Sequence, residues 1–286
     1  MDGLFWGTTV TLLAAYWGAY LGMRVLFRPL SQAFVRAGFV RPNFRGEKIP
    51  VGLGTALWLT LVLVGVLLMT ASEWMPVPWL MLHDLIGCLT VCSLLFAAGL
   101  LDDAVGNRDA TGLRGHLCTL VRDGVMTTGL IKAVVGVVAG LFGAWLLGSP
   151  GWRLPLDALV IALSANSVNL LDLRPGRACK GVLIGLVVLT LVSLRAEMSP
   201  VFWLLLGLTL AYLPYDLQAR SMMGDAGANL LGGALGVLVV TTCSDAAVIG
   251  WLAFLVLFHL YTEKYSLSEA IEKNRWLRWF DVLGRT

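Results

Sequence analysis

The chain has 286 residues, 58% of them hydrophobic and 14% charged, with a mean hydropathy of +0.80 and a formal net charge of +3. A soluble domain carries about 45–50% apolar and about 25% charged residues, so this composition excludes an ordinary soluble fold. The long unbroken apolar runs also exclude a transmembrane barrel, whose strands would alternate apolar and polar residues.

The small net charge matters less than where the charges fall, and no nucleic-acid partner is expected. The five cysteines are Cys88, Cys92, Cys118, Cys179 and Cys243. Cys88 and Cys92 stand four apart in one apolar run, and two sulfurs with no further ligand nearby make a poor zinc site. All five read as ordinary thiols, with no disulfide framework.

A membrane span needs about 20 mostly apolar residues. Nine candidates follow in chain order, at about 4–26, 51–71, 80–101, 125–148, 156–171, 181–194, 200–214, 226–243 and 246–262. The first reads as a retained span rather than a cleaved signal, because it lacks a basic start, runs long and is followed by Arg24 and Arg28. The sixth and seventh are short, and thin or partly re-entrant segments would explain them.

Basic residues set the sidedness. Eighteen of the 21 Lys and Arg fall in the loops after spans 1, 3, 5 and 7 and in the C-terminal tail. Only Arg153 and Arg195 lie on the other side, and Lys132 falls inside span 4. The sequence therefore predicts an all-α polytopic membrane helical bundle of about nine transmembrane helices, with the N-terminus outside and the C-terminus cytoplasmic. Residues 1–265 form one transmembrane domain. Residues 266–286 form a cytoplasmic amphipathic tail, in which Ile271, Trp276, Trp279, Phe280 and Leu283 interleave with Lys273, Arg275 and Arg278. An interfacial helix explains that pattern; a basic stop-transfer flank is the alternative.

This topology puts three acidic clusters on the cytoplasmic side. Asp102-Asp103 closes span 3, and adjacent carboxylates can hold Mg²⁺ or offer a base beside a bound cation, though a solvated helix end would use Asp equally well. Asn166, Asn169 and Asp172 close span 5 at steps of three, along one helix face. They imply a polar cavity or hydrogen bonds to a neighbouring helix. Gly224-Asp225-Ala226-Gly227 opens span 8, where Asp225 could cap the helix and the glycines would let backbone approach a phosphate or metal. Lys132 lies two turns inside the cytoplasmic edge of span 4, where a lysine must snorkel or meet an anion such as phosphate. Taken together, four polar sites on four spans at one depth suggest a single cluster that combines Mg²⁺ ligands with a phosphate-binding cation.

In that order the motifs resemble those of the polyprenyl-phosphate N-acetylhexosamine-1-phosphate transferases, a glycosyltransferase 4-like family. It includes the phospho-N-acetylmuramoyl-pentapeptide and undecaprenyl-phosphate GlcNAc-1-phosphate transferases. The resemblance runs from about Lys48 to Gly232. It covers Lys48-Ile49-Pro50-Val51-Gly52-Leu53-Gly54, the Asp-Asp motif at 102–103, Lys132, the Asn-x-x-Asn-x-x-Asp motif ending at Asp172, and Gly224, Asp225, Gly227, Leu231 and Gly232.

What the resemblance implies is a Mg²⁺-dependent transfer (Mn²⁺ being the other candidate ion) of a sugar-1-phosphate from a UDP-sugar to polyprenyl phosphate. The reaction would release UMP for cell-wall or other envelope glycopolymer synthesis in a bacterial inner membrane. Asp102, Asp103 and Asp225 would be catalytic. Asp225, Asp172 and Asp102 would hold the metal, and Lys48, Lys132, Asn166, Asn169 and Asp172 would bind substrate. Asp102 or Asp103 would deprotonate the lipid phosphate or position the metal and diphosphate; a covalent aspartyl-phosphate route is the rival. A homodimer is left open.

Three departures accompany the resemblance. The family's Asp-Gly-x-Asp-Gly-Leu run is replaced by Asp172-Leu173-Arg174-Pro175-Gly176-Arg177, Ala228 replaces a serine, and a long His-rich loop before the last span is missing. His259 and Glu263 are the nearby candidates for that loop's role, with a packed interior position the alternative for His259. A catalytically silent relative that binds lipid phosphate or assembly partners, and an ion-coupled transporter, complete the set of readings.

Overall fold

The structure, a computed structural model, describes residues 2–106, 119–122, 124, 126–193 and 195–285. Cys118, Arg108 and Arg114 therefore lie outside the described residues. The chain begins with α1 (Asp2–Arg36), a hairpin of β1 (Val40–Pro42) and β2 (Lys48–Pro50), α2 (Gly54–Ala71) and α3 (Trp79–Val105). It continues with α4 (Thr128–Leu146), α5 (Leu154–Leu171), α6 (Arg177–Val192), a 3-10 turn (Ala196–Met198), α7 (Pro200–Leu217), α8 (Gly224–Thr242) and α9 (Asp245–Lys264). Two short helices, α10 (Leu267–Lys273) and α11 (Arg275–Val282), end it.

Among the described residues, helices α1 to α9 coincide with the nine expected spans, and eight of them are long and apolar enough to cross a membrane. The protein is a multi-pass, all-α membrane bundle. The exception is α6, whose 16 residues rise only about 24 Å against a hydrocarbon thickness of about 30 Å. It starts earlier than expected, at Arg177, because Gly176 takes φ +78° and turns the chain into the helix. By contrast α7 is not short. It runs through Pro214 to Leu217 and reaches 18 residues.

Burial organises the bundle around α8. In its spanning window 83% of the residues are buried, against 11% for α9 at the rim. α3 and α5 pack along α8 on either side, and α2 crosses it near its N-terminus. Two of these crossings depend on absent side chains. A Cβ on Gly99 of α3 would strike the backbone of Asp225 and Ala226, and one on Gly54 of α2 would strike the backbone of Ala226 and Gly227. Small residues at crossings let helices approach where lipid gives no hydrophobic drive.

Polar fastenings lie at both ends. At the end away from the acidic motifs, Arg153 binds Asp157 (3.0 Å), Asp245 (2.8 Å) and the carbonyl of Val240 (2.9 Å), tying α5, α8 and α9. At the other end the hairpin is antiparallel, with Arg41 opposite Ile49. Asn43 closes its turn, its Oδ1 accepting from the amides of Arg45 (2.9 Å) and Glu47 (3.0 Å).

The tail is two helices rather than one. They break at Asn274, whose side chain caps α11 by accepting from Trp276 N (3.0 Å) and Leu277 N (3.2 Å).

Candidate active site

Four helix ends meet on the hairpin side of the bundle. The chain reaches this arrangement through backbone pairing. Residues 50–54, leading into α2, bond to the segment before α8: Met222 N donates to Pro50 O (2.9 Å), Leu53 N to Met222 O (3.1 Å) and Gly54 N to Met223 O (2.9 Å). Gly224 then takes φ +71° and sends the chain into α8, presenting Asp225 in its first turn.

The two members of the Asp102-Asp103 pair point to different tasks. Asp103 is 4% exposed, and its two oxygens accept from the backbone amides of Asp225 (2.9 Å) and Ala226 (3.0 Å). It is therefore the N-terminal cap of α8, supplied by another helix, and satisfies amides that would otherwise be orphaned at the positive end of the helix dipole. Arg41 of the hairpin fastens the same turn, donating to the Asp103 carbonyl at 2.8 Å.

Asp102 instead faces Lys132 Nζ at 3.3 Å. Lys132 also ion-pairs with Asp225. Asn169 completes the group, its amide oxygen accepting from Lys132 Nζ at 3.2 Å while its nitrogen donates to Asp225 Oδ1 at 3.1 Å. Four helices, α3, α4, α5 and α8, thus each send one polar side chain to a single point.

The remaining expected residues lie elsewhere. Asn166 turns away from this group and bonds His259 of α9 at 2.9 Å. His259 Nδ1 sits 2.8 Å from the Leu255 carbonyl, which can only accept. Nδ1 therefore donates to that carbonyl, and Nε2 accepts from the Asn166 amide. This pair is a helix-to-helix bond, with His259 half-buried where α9 meets α5. Lys48 is on the exposed part of β2, outside the cluster.

Asp172 ends α5 and lines the adjoining cleft. Burial raises its carboxyl well above the usual range, and the nearby carboxylates of Asp216, Asp225 and Asp103 add to that.

The cleft, of about 200 Å³, lies between the hairpin, the loop after α5 and the start of α8. Asp103, Asp172, Asp216 and Asp225 line it together with Arg41 and Arg174. Asp216 escaped the sequence reading, although an acid in the last turn of an apolar span beside Pro214 was a usable signal. It is 4% exposed, and its Oδ2 is buried with no hydrogen-bond partner among the described residues.

Among the described residues no three His, Cys, Asp or Glu side chains converge to cage a metal ion. The donor set nevertheless suits a hard divalent cation. Asp102, Asp225 and the Asn169 amide already surround a positive charge, and Mg²⁺ characteristically takes one or two carboxylates and fills its shell with water and substrate phosphate.

Comparisons with known proteins cover the same part of the chain. The profile of glycosyl transferase family 4 matches residues 85–243, which contain Asp102, Lys132, Asn169 and Asp225. The phospho-N-acetylmuramoyl-pentapeptide-transferase of Thermotoga neapolitana is 30% identical over 195 residues, 66% of this chain and 64% of that protein. Its counterpart in Thermotoga maritima is 29% identical over 184 residues, 63% of this chain and 58% of that protein. That of Prochlorococcus marinus is 28% identical over 162 residues, 52% of this chain and 45% of that protein. The matches thus span about half to just under two thirds of these relatives' lengths. With the matched segment enclosing the whole four-helix cluster, the chain belongs to glycosyl transferase family 4.

Proposed function

We propose that the protein transfers a sugar-1-phosphate, of the N-acetylhexosamine class, from a UDP-sugar to undecaprenyl or another polyprenyl phosphate. The reaction takes place at the cytoplasmic face of a bacterial inner membrane, releases UMP and serves synthesis of an envelope glycopolymer. The observation that carries this reading is the convergence of Asp102, Lys132, Asn169 and Asp225 beside an acid-lined cleft at one end of the bundle. A site at the end of a membrane bundle suits one substrate that arrives from water and another that stays in the bilayer.

In the proposed step an oxygen of the lipid phosphate attacks the β-phosphorus of the UDP-sugar. The bond from that phosphorus to the bridging oxygen breaks, UMP leaves with it, and a new diphosphate joins lipid and sugar. Asp102 takes the proton of the lipid phosphate where it carries one. Asp225, with Asp102 and the Asn169 amide, would hold Mg²⁺, which when bound neutralises the diphosphate. Lys132 supplies a fixed positive charge where negative charge shifts onto the leaving phosphate. Asp103 keeps the first turn of α8, and hence Asp225, in place.

The test is UMP release by purified protein with undecaprenyl phosphate and Mg²⁺ across a panel of UDP-sugars. Asp225→Asn should abolish release while leaving the thermal melt near wild type. Release that persists in that variant overturns the assignment of Asp225. Silence of the wild type across the panel, beside an active relative, overturns the transferase reading.

A further inference from the structure

The C-terminal strap, α10 and α11, returns to the loop that walls the cleft and is fastened there by buried ionic contacts. Arg177, the first residue of α6, is 7% exposed and grips Asp281 of α11 with both ends of its guanidinium: Nε to Oδ1 at 2.8 Å and Nη2 to Oδ2 at 3.1 Å. Its third nitrogen reaches Ser268 Oγ of α10 at 3.1 Å. Forked arginine–carboxylate pairs of this kind fix orientation as well as add energy. Arg285 binds Asp281 at 2.9 Å and donates to the carbonyl of Pro175 at 2.8 Å. Lys180, one turn into α6, donates to the carbonyls of Phe280 (2.8 Å), Asp281 (2.9 Å) and Leu283 (2.7 Å), acceptors that the end of α11 would otherwise leave unpaired.

Residues 173–177 are therefore held from two sides. Leu173, Arg174 and Pro175 line the cleft, while Pro175, Arg177 and, in the following turn, Lys180 are tied to the strap. Two cations, Arg177 and Arg285, share one carboxylate, that of Asp281, and Lys180 stands beside them on the main-chain carbonyls of the strap. Removing it leaves the two guanidinium groups together in a largely buried place without their shared counter-charge, a repulsion that is relieved when the strap moves away. The opposite side of α11 carries Trp276 and Trp279, 79% and 60% exposed, so the fastening does not come from an apolar core.

We infer that the strap is a positioning device for the donor cleft: Asp281, through Arg177 and Arg285, fixes the 173–177 wall and with it Arg174, a cation suited to an anionic nucleotide. The inference rests on reading the cleft as the nucleotide-sugar site, and Asp281 itself touches no substrate.

The test uses the full chain in lipid nanodiscs, as wild type, Asp281→Asn, Asp281→Glu and the milder Arg285→Ala. It reads amide hydrogen exchange of residues 173–177, UMP affinity by calorimetry, and KM and kcat with UDP-GlcNAc. In Asp281→Asn, exchange at 173–177 should quicken about tenfold while the helices α2 to α5 keep their protection. UMP affinity should fall, and KM rise, by about tenfold, with kcat within about twofold. Asp281→Glu should recover most of both, and Arg285→Ala should fall between.

Wild-type exchange at 173–177 in Asp281→Asn overturns the inference, as does an equal loosening of the whole bundle. If the wild type binds no UMP, the nucleotide reading of the cleft fails separately, and the exchange data still decide whether the strap holds the wall.

Discussion

Lys132 stands between two carboxylates, those of Asp102 and Asp225, so the site alternates negative, positive, negative. Replacing it with Met leaves the carboxylates facing each other without their shared cation. Turnover should fall by about 10²- to 10³-fold, the loss typical of one charge-stabilising group, and the melting temperature should shift little if the cavity still hydrates. Unchanged turnover with a lowered melt would instead mark Lys132 as a purely structural ion-pair partner. The adjacent aspartates should separate in the same assay. Asp102→Asn should suppress turnover with the fold kept. Asp103→Asn should cost about 1–2 kcal/mol of stability, because each carboxylate oxygen now serves one amide of α8, and the substitution turns an NH₂ donor toward one of them and removes the negative charge at the helix N-terminus. Asn166 and His259 supply a control away from the chemistry. A double-mutant cycle with Asn166→Leu and His259→Phe should give a coupling of about 0.5–2 kcal/mol and near-normal activity, and a large activity loss without coupling would return Asn166 to the site.

At the scale of elements, the site is held by crossings and caps rather than by the strength of any one helix. Gly99 allows α3 to lie directly against the first turn of α8, and the Asp103 cap depends on that distance. Gly99→Ala should cost about 1–3 kcal/mol through overpacking, measured by thermal unfolding, and should lower activity further because Asp225 is carried on the displaced turn. The strap gives a different signal, a dependence on pH. Burial alone would raise the pKa of Asp281, but the hydrogen bonds and charges of Arg177 and Arg285 outweigh it and hold the carboxyl below its ordinary value of 3.8. A lowered folded-state value means that the carboxylate's contribution is complete above the unfolded value and is lost as pH falls through the folded one. Exchange at 173–177, once corrected for intrinsic rates, should therefore quicken below about pH 4 in wild type, and that low-pH step should be missing in Asp281→Asn.

Across the whole molecule, the separation of fastenings matters most. The Arg153 clasp ties the end remote from the cleft, and the hairpin, acidic cluster and strap occupy the other. Basic loops after α1, α5 and α7 accompany the cleft, and on the positive-inside rule that end is expected to face the cytoplasm. Cysteine labelling in intact cells checks this in a cysteine-free background. A cysteine replacing Gly151 should react with an impermeant maleimide from outside, and one replacing Glu272 only after the membrane is opened. The reverse pattern would invert the topology and remove the cleft from the nucleotide pool.

The sequence by itself determined the class, the nine helical segments and the set of polar positions gathered at one end. Each follows from local properties: apolar length, charge asymmetry and the cost of carboxylates near lipid. Tertiary structure alone decided how those positions divide. Two adjacent aspartates read alike in sequence, yet helix phase turns Asp102 to Lys132 and Asp103 to the amides of α8. Asn166 and Asn169 share a face, yet that face spans two neighbours, α9 and α8. The basic departure at Arg177 reads as a lost motif until a carboxylate more than a hundred residues away folds onto it. Hydropathy and spacing describe one segment at a time, whereas pairing of charges depends on which segments become neighbours.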